Sequence, residues 1–164
     1  MEKELKKILD DNKGKRICVC GVSCTGKSTM MKRIPNCLDL DEIVWAAMPQ
    51  EVLENLSGQK LPMTYAQKRK KKIAWTEEQK KIWYNHGSKI MNEFRILPGQ
   101  PVFSVHPFNH ADLIIYLDIT DELLQERVKK RGKNLEDIRS RKVNLEQVIV
   151  EKGLPVIKLK LGHK

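Results

Sequence analysis

The octet Gly21-Val22-Ser23-Cys24-Thr25-Gly26-Lys27-Ser28 constrains this chain more than any other stretch of it. Two glycines five apart, then Lys and a hydroxyl residue, fill every defined position of the pattern Gly-x-x-x-x-Gly-Lys-Ser/Thr. Glycine lets the backbone turn so that N–H groups converge on one point, and a helix that starts there adds partial positive charge. The flanks agree with that reading. Arg16-Ile17-Cys18-Val19-Cys20 is a compact β-type run leading into the glycines, and Ser28 to Ile34 can continue as a helix until Pro35 stops it. In such a loop Lys27 reaches the outer phosphates of a bound polyphosphate, and the Ser28 hydroxyl helps to hold Mg²⁺.

The rest of the chain supplies a setting for that loop. Glu2 to Asp11 carries Leu5, Ile8 and Leu9 at helical spacing, and Asn12-Lys13-Gly14 ends the helix. Cys37-Leu38-Asp39-Leu40-Asp41 reads as a second strand with acidic residues at its exit. Glu42 to Leu97 is mainly helical, broken in its first half by Pro49, Gly58 and Pro62. Thr76-Glu77-Glu78-Gln79 has the form of a capping box, after which Trp83, Ile90, Phe94 and Leu97 can share a helix face. Pro101 to Val105 and Leu113 to Leu117 read as a third and a fourth strand, and Asp121 to Arg131 and Leu135 to Glu151 as two helices. Val156 to Leu161 alternates enough to be a last strand with one solvated face. Short apolar strands separated by helices predict an α/β sheet with right-handed crossovers and both faces covered.

At 164 residues one domain, spanning 1–164, is expected. No apolar run approaches the roughly 18 residues that span a membrane, and the start Met-Glu-Lys-Glu-Leu-Lys-Lys lacks a secretory core, so a cytoplasmic location is expected. Cys18, Cys20, Cys24 and Cys37 form no Cys-x-x-Cys pair, which predicts reduced cysteines and no zinc site. The net charge of +10 is uneven: Lys60 to Lys89 holds nine Lys or Arg against Glu77 and Glu78. Such a segment suits an anionic partner, a nucleotide or a nucleic-acid strand, or else forms a solvated helix face.

Other residues suggest chemistry. Asp39 and Asp41 follow Lys27 at a distance that a parallel sheet can bring beside the loop. One could hold Mg²⁺ through water and the other take a proton from an acceptor hydroxyl; the alternative is a helix cap by Asp41 with Asp39 solvated. Arg127, Arg131, Lys133, Arg139 and Arg141 cluster late in the chain and could close on a transferring phosphoryl group. His106 and His110 flank Pro107-Phe108-Asn109 after the third strand, as acceptor contacts or a plain loop. Trp75, Trp83 and Tyr84, interleaved with lysines, either stack on bases or form a helix core.

These motifs resemble the small P-loop kinase family, which includes nucleoside monophosphate kinases, shikimate and gluconate kinases and the kinase domain of polynucleotide kinases. The resemblance rests on Gly21 to Thr29, on Asp39-Leu40-Asp41, on Ala111 to Asp118, and on Leu123 to Lys133. It implies a P-loop NTPase fold, a five-stranded parallel sheet ordered 2-3-1-4-5, a helical acceptor-binding insert at about 42–97 and a lid at about 127–141. It also implies ATP with Mg²⁺, with Gly21, Val22, Ser23, Cys24, Thr25, Gly26, Lys27, Ser28 and Thr29 around the phosphates and Ser28 and Asp39 at the metal. By the family pattern Arg127 flanks the adenine, and Arg131 with Arg139 or Arg141 contacts phosphates. The third strand exits through Val105-His106-Pro107 rather than the Gly-rich or acidic exit of several relatives, which leaves more of the metal work to Asp39. A carboxylate pair and a Lys-rich insert point to γ-phosphoryl transfer onto a nucleotide or a nucleic-acid hydroxyl, a hydroxymethylated DNA base among them. A small-metabolite kinase and a non-catalytic NTP-binding module are the alternatives.

Overall fold

A computed structural model describes residues 1–58, 63–71, 74–108 and 110–163. Lys60, Pro62, Lys72 and Asn109, each singled out in the sequence, lie outside the described residues. The elements run α1 (Glu2–Asp11), β1 (Ile17–Cys20), α2 (Lys27–Met31), β2 (Leu38–Asp39), α3 (Leu40–Ala47), α4 (Gln50–Ser57), α5 (Tyr65–Lys71), α6 (Glu77–Glu93), β3 (Val102–Ser104), β4 (Leu113–Ile119), α7 (Asp121–Lys130), α8 (Leu135–Lys152) and β5 (Val156–Leu161). The five strands form one parallel sheet in the order β2-β3-β1-β4-β5, as the family resemblance implied.

Residues 1–39 and 96–164 make one compact unit, which contains the sheet. All four residues of β1 are buried, as are Leu113 to Leu117 in β4, because helices cover both sheet faces. Only the edge strand β5 alternates: Leu159 and Leu161 are buried while Lys158 and Lys160 face solvent. Thr120 caps α7 through the Leu123 N–H, and Asn134 caps α8 through the Asp137 N–H, each satisfying a donor that the first helical turn leaves unpaired. Gly153, at φ 63°, ends α8 in the left-handed region that only glycine enters without strain. The Tyr116 hydroxyl, donating to Glu146 at 2.7 Å, ties α8 to β4. The four cysteines are free thiols; Cys18 and Cys20 point the same way from β1 with sulfurs 3.3 Å apart, and burial pushes the Cys20 thiol well up.

Residues 40–95 form the second compact unit, whose regular elements among the described residues are helices. The expected capping box at Thr76 and Gln79 is present at the start of α6. Three indoles, Trp45 among them, cluster together. Trp45 is 3% exposed and its ring lies 6.0 Å from that of Trp83, which lies 5.4 Å from Trp75. The indole N–H of Trp45 donates to the Met63 carbonyl and that of Trp75 to the Leu56 carbonyl. Trp75 and Trp83 are half-buried in this cluster, with the Lys68 ammonium 4.5 Å from the Trp75 ring, whereas Tyr84 is largely exposed.

Three local expectations need correction. The second strand stops at Asp39: Leu40 is buried in the first turn of α3, so Asp41 belongs to a helix and not to a strand exit. The helix after the loop ends at Met31, not Ile34. Phe94 closes α6 in an extended conformation, so the helix face does not reach Leu97, which is exposed; Ile96 is buried in its place. Pro98 follows one residue later and disfavours helix at Leu97.

No helix among the described residues is long and apolar enough to cross a membrane.

Candidate nucleotide-binding site

Because the strands are parallel, their C-terminal ends share one edge, and the glycine loop leaves that edge from the central strand β1. The Gly21 N–H donates to the Ser104 carbonyl at 3.2 Å, which fixes the start of the loop to the end of β3. Thr25 is fully buried beneath the loop and its hydroxyl donates to the Val22 carbonyl at 2.9 Å. Gly26, at φ 94°, turns the chain into α2, and its carbonyl accepts the Thr29 and Met30 N–H groups. Cys24 sits at φ 73°, a conformation that costs a non-glycine residue about 1–2 kcal/mol and that the loop imposes on it.

The glycines are there for space as well as for φ. A Cβ on Gly21 would lie 2.8 Å from the Thr25 hydroxyl and 3.0 Å from Leu117 Cβ. A Cβ on Gly26 would lie 3.3 Å from the Arg127 guanidinium.

Three cations from three elements converge on this loop. Lys27, first in α2, curls its ammonium over the Gly21 and Val22 carbonyls, the second at 2.8 Å. Arg127, on α7, donates one Nη to the Thr25 carbonyl at 2.8 Å and the Cys24 carbonyl at 3.2 Å. Lys133, in the turn between α7 and α8, donates to the Ser23 hydroxyl at 2.7 Å. Arg131 lines a cleft of about 330 Å³ with Arg127, Arg33, Met30, Gly26 and Cys24. Arg33 is held in turn by Glu2 at 2.7 Å, and this contact, with Lys6, keeps the Glu2 carboxyl below its usual range.

Not every expected residue joins them. Arg139 is clamped by both carboxylate oxygens of Asp121, at 2.8 and 2.6 Å, and by Glu136 at 2.6 Å. Arg141 pairs with Asp137 at 3.2 Å. Asp39 aligns with Phe103, and Phe103 with Val19, so it shares a sheet row with the residue two before Gly21, two strand spacings or about 10 Å away. Asp41 accepts the Tyr65 hydroxyl at 3.2 Å. At the end of β3, Ser104 is buried and its hydroxyl accepts the His106 N–H at 2.9 Å. Phe108 is buried with its ring 5.5 Å from His110, and His106 is exposed.

The donor set suits a polyphosphate. The loop offers backbone N–H groups, a helix start and nearby cations, and its glycines occupy space that a side chain would fill. For a metal, no group of three His, Cys, Asp or Glu side chains stands together among the described residues. Mg²⁺ takes few protein oxygens and keeps water and phosphate as its other ligands; Ser28 and Asp39 are of the right chemistry for it. The contacts of Arg127 and Lys133 to the loop span over a hundred residues of sequence; charge and the family resemblance marked the residues in advance, but not these partners.

Residues 17–149 match a family model described as an AAA domain (AAA_18). A search of curated proteins finds no match. The matched region begins at the first residue of β1 and ends within α8, taking in the glycine loop, Arg127 and Lys133. With its sheet order and its phosphate-loop motif, this chain is a P-loop NTPase-like domain and belongs to that AAA-domain family.

Proposed function

We propose that this protein is an ATP-dependent phosphotransferase that moves the γ-phosphoryl group to a nucleotide or nucleic-acid acceptor, a hydroxyl on DNA included. The observation that carries the reading is the convergence of Lys27, Arg127 and Lys133 on one glycine loop. The loop and Lys27 suffice for a module that only binds a nucleotide. Further cations arriving from α7 and the following turn answer the charge that spreads over phosphoryl oxygens during transfer.

The residues divide the work as follows. The N–H groups from Gly21 to Thr29 and the Lys27 ammonium hold the phosphates. Ser28 and Asp39 would hold Mg²⁺, which when bound would neutralise phosphate charge. Arg127 and Arg131 border the cleft beside Gly26, and Arg127 flanks the base there. Arg131 and Lys133, on the exposed turn after α7, are free of helix packing and can follow the phosphoryl group. Arg139 could join them only after leaving Asp121 and Glu136, so its lid role rests on that exchange. Asp39 or Asp41 takes the proton of an acceptor hydroxyl. The basic, exposed Arg69, Lys70 and Lys71 of α5 support an anionic acceptor.

The test is transfer from ATP labelled in its γ-phosphate, with dNMPs, oligonucleotides bearing 5′-hydroxyl or hydroxymethyl groups, and sugar acids as acceptors. Label in the first two groups is the expected result. Label confined to sugar acids would instead make the protein a small-metabolite kinase. Tight ATP binding with no acceptor-stimulated ADP release would make it a binding module.

A further inference from the structure

We infer that the opposite end of the sheet carries a second small-molecule site, for an amphipathic anion: an apolar ring or chain bearing a carboxylate, sulfonate or phosphate. The parallel strands that deliver the phosphate loop at one edge leave their N-terminal ends at the other. There α1, the α1–β1 turn, the segment before β2 and the segment before β3 line a half-open pocket of about 470 Å³. It is larger than the cleft beside the phosphate loop, and its size is that of a small molecule rather than of a protein face.

Its lining has two characters. Leu9, Ile17, Ile34 and Pro101 give an apolar floor, of which Ile17 is 3% and Ile34 6% exposed. The remaining wall carries Lys6, Lys13 and Lys15 against a single acid, Asp10. Lys6 is engaged by Glu2 at 3.0 Å. Among the described residues, the ammonium groups of Lys13 and Lys15 have neither a hydrogen bond nor an ion pair within 4 Å, although the charge of Lys15 helps to lower the Asp112 carboxyl. Left-handed turns at Asn36 (φ 57°) and Gly99 (φ 78°) shape the wall, and a Cβ on Gly99 would lie 3.7 Å from the Lys13 carbonyl. A bare anion would find no use for the floor, and a neutral apolar ligand none for the lysines. A molecule combining the two satisfies both, the floor supplying affinity and the lysines orientation.

The site is separate from the nucleotide site. Ile17 begins β1 and Gly21 directly follows its last residue, four residues or about 13 Å further on.

The probe is 8-anilinonaphthalene-1-sulfonate, titrated into the full chain by fluorescence and by amide shifts in ¹H–¹⁵N spectra. Saturable binding with shifts at Gly99, Asn36 and Ile17 is expected. Decanoate should displace the probe, inorganic phosphate at the same concentration should not, and ATP·Mg²⁺ should change its affinity less than about twofold. The K13E/K15E double variant should bind the probe roughly tenfold more weakly, and D10N roughly twofold more tightly. D10N keeps the test open should the charge reversal disturb folding. The inference falls if ATP·Mg²⁺ displaces the probe, if no saturable binding occurs, or if D10N and a folded K13E/K15E both bind as the wild type does.

Discussion

The phosphate loop and the helical unit of residues 40–95 are built on different principles. In the loop the backbone carries the structure: Gly21 is tied to Ser104, Gly26 turns the chain at φ 94°, and the side chains that pack, Thr25 and Met30, lie buried below. In residues 40–95 side chains carry it, with Trp45, Trp83 and Trp75 in sequence around one centre and two indole N–H groups on backbone carbonyls. A phosphate site needs N–H groups aimed outward, so its packing must be placed beneath it. A helical unit has no such demand and fills its own middle. The difference teaches where a single substitution does harm: to shape in the loop, to volume in the helices.

Trp45→Ala is the largest expected effect. It should cost about 3–5 kcal/mol, seen as loss of the tryptophan-reported transition of residues 40–95 in a denaturant titration. ATP affinity should change little, because Arg127, Lys133 and Ser104, which hold the loop, all belong to the unit of residues 1–39 and 96–164. A parallel loss of ATP binding would break the comparison.

Gly21→Ala reverses the pattern. The added methyl meets the buried Thr25 hydroxyl and Leu117, so about 1–3 kcal/mol of stability should be lost together with nucleotide affinity. Calorimetry beside thermal unfolding would read both, and normal ATP binding would show that the loop tolerates a Cβ.

Lys133→Ala should be milder, slowing turnover roughly tenfold while ATP affinity changes less, since its charge is needed most in the transition state. Equal losses in both would reduce Lys133 to a ground-state contact with Ser23.

The smallest effect concerns Arg139, which holds Asp121 at about 2, below its ordinary value near 4. A carboxyl depressed in the folded state adds stability above its unfolded pKa, and that stability is lost as pH falls through the folded value. Arg139→Gln should therefore flatten the stability profile between about pH 4 and pH 2 and leave it unchanged in slope near neutrality. A wild-type acid limb in this variant would mean that the pair contributes nothing in solution.

How far the sequence reached follows the same division. The octet from Gly21 to Ser28, the strand before it and the capping box at Thr76 were legible because each is a local pattern with a local cause. The sheet order came from resemblance, since nothing local in β2 or β3 says which strands adjoin. Asp41 was misassigned because two acids flanking Leu40 look alike whether the strand ends before or after them; burial of Leu40 in α3 decides it. Arg127 and Lys133 were visible as charges, but their contacts with Thr25 and Ser23 depend on how α7 returns to the loop. The aromatic centre of residues 40–95 was open between two readings because composition does not reveal which side a ring faces.

The central claim is that the Gly21–Ser28 loop works as the phosphate cradle of a transfer enzyme. Its most direct test is acceptor-dependent ADP release by the wild type and by Lys27→Ala, with thermal unfolding of each. Lys27 points at loop carbonyls and not into the core, so the variant should keep a near-normal unfolding temperature while transfer falls by about 10³-fold or more. A folded Lys27→Ala protein with near-normal turnover would contradict the account.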